Sequence, residues 1–235
     1  MTEEVDTQYR ACARDALQLY ATATGQFAVP QEGTVKFQAT FPLAMYALNQ
    51  VHAALILAEN KREYLAVANV RVAYEHAVTA QWVLFTRSAE EKLVGTLHRH
   101  NRFVVKDLAT YANVPDELLT GFGEQGDPVM PNFKVQCEAL NPSSDALISL
   151  YRNLTVGVHP SSATLAQHLT ASHEHGITGV RLGAVQEAPV DTWMGCALST
   201  LAAAFVIEVQ REDQPRMPQV MALSEKYRVP FDLRR

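Results

Sequence analysis

Cysteine is scarce and poorly placed for cross-links. Cys12, Cys137 and Cys196 are odd in number and far apart, which argues against a disulfide framework, gives no zinc spacing and fits a reducing compartment. Several catalytic signatures are missing as well. There is no Gly-rich phosphate loop closed by Lys-Ser/Thr, no strand–GxGxxG–helix, no GxSxG and no HExxH, so nothing points to a P-loop, a dinucleotide fold, a hydrolase elbow or a zinc protease. Charge is low, at 19% of residues with a net of −5. That argues against broad, sequence-blind binding to nucleic acid while leaving room for a local basic patch. The first six residues are acidic and lack the charged-then-apolar order of a signal peptide.

Two long runs carry no formal charge. Residues 37–58 include Gln38, Pro42, Asn49, Gln50 and His52 and read as a buried helix. Residues 192–207 are rich in Gly, Ala, Ser and Thr and read as too short to cross a bilayer. The expectation is a cytoplasmic protein with no membrane segment. Apolar residues make up 48% of the chain, enough to bury a core. No repeat, low-complexity tract or composition break divides it, so residues 1–235 are expected to form one domain.

Helical periodicity dominates. Tyr9, Cys12, Ala13, Ala16, Leu17 and Tyr20 mark a first amphipathic helix over 5–24. Further helices are expected over 37–59 and 61–86, with Asn60 capping between them. Ser88 and Glu91 form a capping-box pattern at the start of a helix running to about residue 112. Residues 115–131, rich in Gly and Pro, form a connector with one short turn at 116–119. A short helix follows at 133–140, and a longer one is capped by Ser143 or Ser144. Another short helix is expected from Ser161 or Ser162 to residue 169. Residues 171–188 are either a loop or a small β-hairpin. The last long helix spans 190–211, and the proline-marked tail from Gln214 wraps or frays. The sum is an all-α helical bundle.

Within it, Tyr151-Arg152-Asn153 to His159-Pro160 stands out. Arg152 and His159 are seven residues apart, close to two helical turns, so a helix continuing through both would put them on one face about 10 Å apart along the axis. A guanidinium with five fixed donors would then lie near a side chain that exchanges protons around neutral pH. Pro160 disfavours helical geometry at His159, placing the helix end there.

An arginine followed by a polar residue, then a histidine after Asn153–Val158, resembles the signature of the HEPN superfamily. His159-Pro160-Ser161, with Thr155 four residues earlier, is similar to a HEPN-like bacterial family whose members lack assigned functions. Many HEPN proteins are metal-independent ribonucleases of toxin–antitoxin and defence systems, commonly built as homodimers with two motifs face to face. The resemblance implies catalysis by Arg152, Asn153 and His159, with Thr155 assisting substrate binding. His159 would move a proton, Arg152 would stabilise phosphoryl charge, and Asn153 would orient substrate or imidazole. It implies RNA as substrate, a second copy of the chain, and a cognate antitoxin or regulator as partners. The alternative is a non-catalytic HEPN-like domain that binds a nucleotide, an RNA or a protein. A purely structural role is also open, in which Arg152 pairs with an acid and His159 closes a helix end.

Other polar groups admit two readings each. Arg71 and Glu75 are the only formal charges between Tyr64 and Phe85. They either serve the phosphate site, with Glu75 anchoring Arg152 or Arg71 adding a cation, or form an internal ion pair. Lys92, Arg99, Arg102 and Lys106 lie within roughly 80° of one another on a helical wheel, with Leu93, Leu97, Val104 and Leu108 on the far side. Arg99 and Arg102 could contact an RNA backbone, or the line could be a solvated face. His98/His100 and His173/His175 lack the Cys, Asp or Glu company of a dedicated metal site, so neither a required metal nor a cofactor is expected. The small residues around Gly195 permit close helix packing, inside the chain or across a dimer.

Overall fold

The structure is a computed structural model and describes residues 2–21, 27–112, 115, 127–159, 169–172, 176–180 and 188–234. Among these, eight helices and one hairpin form an all-α bundle: α1 (Thr2–Ala21), α2 (Thr34–Glu59), α3 (Glu63–Phe85), α4 (Ala89–Ala109), α5 (Phe133–Leu140), α6 (Ala146–Val156), α7 (Val190–Val209) and α8 (Met217–Tyr227).

The core is centred on α3 and α7. Trp193, Cys196, Ala197, Leu201, Ala202, Ala203 and Ala204 of α7 are each fully buried. A helix apolar all round must be covered on every side, and α1, α2, α3, α6 and α8 all pack against this one. Its small residues serve that packing inside the chain. A Cβ on Gly195 would lie 3.2 Å from Leu154 Cδ1 and 3.3 Å from Val70 Cγ1, so α6 and α3 both approach there closely. At 20 residues, Val190–Val209, α7 falls within the expected 190–211. The segments Gln31–Glu59 and Asp191–Val209 both have the length and hydropathy to cross a membrane, but the second is 89% buried within the bundle, as a core helix would be.

Helix ends depart from the sequence reading in instructive ways. Asn60 closes α2, its amide donating to the Ile56 carbonyl at 2.8 Å, and Arg62 precedes α3. Ser88 takes a left-handed backbone, and its hydroxyl makes no capping bond to α4. Ser144 accepts from the Ala146 N–H at 3.1 Å, one residue before Asp145 opens α6. The tail does more than wrap, because residues 217–227 form a helix. Its prolines had suggested interruption, yet Pro218 sits in the first turn, where no intrahelical N–H is needed. Beyond it, the Gln81 amide donates to the Phe231 carbonyl and its oxygen accepts from the Leu233 N–H at 2.9 Å.

Within 171–188, residues 171–172 and 176–180 form paired strands, and residues 173–175 and 181–187 lie outside the described residues. Leu169–Ser172 pairs antiparallel with Gly176–Val180, with an irregularity between Thr170 and Ala171. The expected short helices at 116–119 and 161–169, apart from Leu169 itself, and the pair His173/His175 lie outside the described residues.

Cys12, Cys137 and Cys196 are all buried free thiols. Burial is the main cause pushing each up to about 12, with Asp15 adding at Cys12, Glu138 at Cys137 and Cys12 at Cys196. The thiolate is the reactive form, so a thiol reagent at pH 8 is expected to label none of the three in the folded protein and all three in denaturant. Rapid labelling of any one under native conditions would contradict the packing described.

Candidate functional site

Leu147, Ile148, Leu150 and Leu154 of α6 are buried. Leu154, 1% exposed, inserts where α3 and α7 come together beside Gly195. That anchor fixes the rotation of the helix. Two residues earlier on a 3.6-residue period is nearly the opposite side, so Arg152 is exposed, as is Asn153. The Arg152 side chain makes no hydrogen bond or ion pair with another described residue. Asn153 does not hang free: its Nδ2 donates to Asp191 Oδ2 in the first turn of α7 at 2.7 Å. Thr155 Oγ1 donates back to the Tyr151 carbonyl at 2.8 Å.

The helix ends earlier than Pro160 had suggested. It stops at Val156, with Gly157 as the closing residue. The N–H groups of Val158 and His159 still reach the Thr155 carbonyl, at 3.1 and 3.3 Å, so His159 leaves in a turn, exposed to solvent. The two-turn alignment of Arg152 with His159 therefore no longer follows from helix geometry. Packing at Gly157 is close. Its carbonyl accepts from the Tyr64 hydroxyl at 3.2 Å, and an added Cβ would meet Val67 Cγ1 at 2.8 Å.

A substitution at this turn is a direct check. Gly157→Ala is expected to destabilise the protein by about 1–3 kcal/mol through overpacking, because valine is stiff at χ1 and cannot yield readily. Val67→Ala should relieve most of that loss in the double variant. Additive losses in a two-by-two denaturation cycle would show that the crowding is not real.

Arg71 and Glu75 meet each other. Arg71 Nη2 donates to Glu75 Oε1 at 3.1 Å and to the Tyr151 hydroxyl at 2.9 Å, and the guanidinium lies 5.1 Å from the Tyr151 ring centre. Burial pulls the Arg71 pKa down, but the bonds to Tyr151 and Glu75 outweigh it and leave it raised. Glu75 thus holds Arg71 and makes no bond to Arg152. The side chain of Tyr151 also packs on Phe133, with ring centres 4.6 Å apart. This is an internal tie between α3 and α6, one residue from Arg152 in sequence.

The basic line lies on α4, which packs against α2 and α3, whereas α6 packs against α3, α5 and α7. Arg99 is exposed, with its guanidinium 5.7 Å from the Phe103 ring, and Arg102 is half-buried. The presumed apolar side of α4 is not the core side. Leu93 is buried, but Leu97, Val104 and Leu108 are exposed. The actual bundle side carries Ala89 and Gly95. A Cβ on Gly95 would collide with the Pro128 carbonyl oxygen, and the Met130 N–H donates to Thr96 Oγ1 at 2.8 Å.

Asp191 and Tyr64 were missed as neighbours of the motif, and so was the bond from Arg71 to Tyr151. Asp191 was legible only as a helix start, since nothing local relates it to Asn153. Two cavities are well formed. One of about 420 Å³ lies between α1 and α2 and is lined by Arg14, Tyr20, Asn49 and His52 among others. The other, of about 220 Å³, is mainly apolar and lies among α6, α7 and the tail. Neither is lined by Arg152 or His159. No group of three metal-ligating side chains occurs among the described residues. No family model, curated protein or solved structure matches this chain.

Proposed function

We propose that this protein is a metal-independent, RNA-cleaving endonuclease of a defence or toxin–antitoxin type, acting in the cytoplasm through Arg152 and His159. The observation that carries this reading is the exposure of both side chains at one end of α6, with Arg152 unengaged by described neighbours. A phosphodiester must reach the guanidinium and the imidazole together, and a sealed motif could not serve. In the proposed step, the ribose 2′-oxygen attacks the adjacent phosphorus, the 5′-oxygen leaves, and a 2′,3′-cyclic phosphate forms. His159 transfers a proton and Arg152 stabilises the phosphoryl oxygens. Asn153, tethered to Asp191, positions rather than transfers.

The bonds of Arg71 to Glu75 and Tyr151 favour for these residues a role in holding α6 in place, not contact with substrate. The same facts give a second reading some support. Because α6 ends at Val156 and His159 lies in a turn, Arg152 can bind a nucleotide, an RNA or a partner's acidic group without a proton-transfer partner aligned beside it. Incubation of the purified chain with RNA in excess chelator separates the two. Cleavage to cyclic-phosphate ends supports the nuclease, binding without cleavage supports the second reading, and neither outcome leaves both standing.

A further inference from the structure

The smaller of the two cavities, among α6, α7 and the tail, has an apolar depth and a basic mouth. Leu147, Leu150, Leu198 and Leu233 line it and are buried. Ala146, Arg228 and Pro230 line it and are exposed, so they stand where it meets solvent. Its volume is about 220 Å³, and an apolar cavity of only ~150 Å³ already admits benzene. The tail wall is fixed at both ends. Ser224 Oγ donates to the Val229 carbonyl at 2.7 Å, and Gln81 Oε1 accepts from the Leu233 N–H at 2.9 Å. A space held in this way is pre-formed, so a ligand does not have to order it.

The charge around the cavity leaves one cation over. Asp232 also lines it, but that carboxylate accepts from Arg234 Nε at 3.0 Å and Arg234 Nη2 at 2.6 Å. The Arg228 side chain makes no hydrogen bond or ion pair with another described residue. An apolar pocket with a polar group placed to fix orientation is the usual form of a small-molecule site. We propose that this cavity binds a small carboxylate with an apolar body of roughly six to eight carbons. The body lies among the leucines and the carboxylate meets the Arg228 guanidinium, a pairing whose two parallel N–H donors suit it. One spare guanidinium matches a single negative charge, whereas a phosphate monoester carries nearly two. The inference rests on this cavity alone and is independent of the nuclease reading.

Titration calorimetry with octanoate, 1-octanol and octylammonium tests this. Octanoate is expected to bind saturably at a single site, and the alcohol and the amine at least ~10-fold more weakly. Arg228→Asn removes the cation while suiting the left-handed backbone there, at φ 55°, which asparagine adopts more readily than most residues. It should lower octanoate affinity at least ~10-fold with the melting temperature held. Ala146→Phe adds a ring at the exposed mouth and should weaken octanoate binding without repacking the core. No saturable binding by ~10 mM octanoate overturns the proposal. Octanol binding as tightly as octanoate overturns it too, because the guanidinium is then unused. An octanoate affinity unchanged in either variant places the ligand elsewhere and has the same consequence.

Discussion

Replacing His159 by alanine is expected to lower RNA cleavage by roughly 100- to 10,000-fold, the range that a general acid or base supplies. The side chain is exposed at the turn after α6, and a melt of the variant separates lost chemistry from lost stability. Arg152→Ala should produce a comparable loss of cleavage with an unchanged fold, because its guanidinium bonds to no other described residue and its loss strands no buried charge. Arg152→Lys keeps the charge but loses the planar fork, and it should recover only a part of the activity. The decisive comparison is between cleavage and binding. If His159→Ala leaves cleavage intact, the imidazole has no chemical role. If Arg152→Ala abolishes RNA binding in a chain that never cleaves, the binding-domain reading stands instead.

The largest expected stability effect lies far from that motif, at Glu208. Its side chain is completely buried, yet it carries a carboxylate. Oε1 accepts from the Tyr20 hydroxyl at 3.2 Å and faces Arg211 at 3.6 Å and Arg216 at 3.7 Å, while Oε2 accepts the Arg216 backbone N–H at 3.0 Å. The arrangement ties α1 to the end of α7 and to the turn before α8. Burial, reinforced by the Glu208 charge, pushes the Tyr20 hydroxyl well above its ordinary pKa, keeping it a donor. Glu208→Ala leaves Arg211 and Arg216 without their shared anion, and breaking one side of a buried charge cluster costs about 3–5 kcal/mol. For a chain of this size the melting temperature should fall by on the order of 10 °C. Glu208→Gln keeps an acceptor for Tyr20 and the Arg216 N–H and should lose less. A melt of Glu208→Ala within a degree or so of the parent would show that the cluster contributes little.

These two sites also show where sequence reading stops. Arg71 and Glu75 could be paired from sequence because i, i+4 neighbours on a helix are set by its period alone. Their third partner, Tyr151, is 80 residues away and left no local trace. On α4 the polar and apolar sides were visible, but which of them faced the bundle was not. The same amphipathic pattern suits a buried face or an exposed one; α4 approaches Pro128 at Gly95, and Leu97, Val104 and Leu108 are exposed. At the motif, Pro160 marked a helix end from steric rules, while α6 stops three residues sooner, beside the contacts of Gly157 with Val67 and Tyr64.

By itself, the sequence determined the helical class, the positions of most helices within a few residues, the apolar character of α3 and α7, and the set of polar residues able to do chemistry. Each follows from periodicity, capping chemistry and composition, which are properties of near neighbours along the chain. Only the tertiary structure decided that Arg152 faces solvent, that Asn153 is bound to Asp191, that Glu208 joins three elements, and that Leu97, Val104 and Leu108 of α4 are exposed. Those outcomes depend on which helix packs against which, and that is set by contacts between residues far apart in sequence.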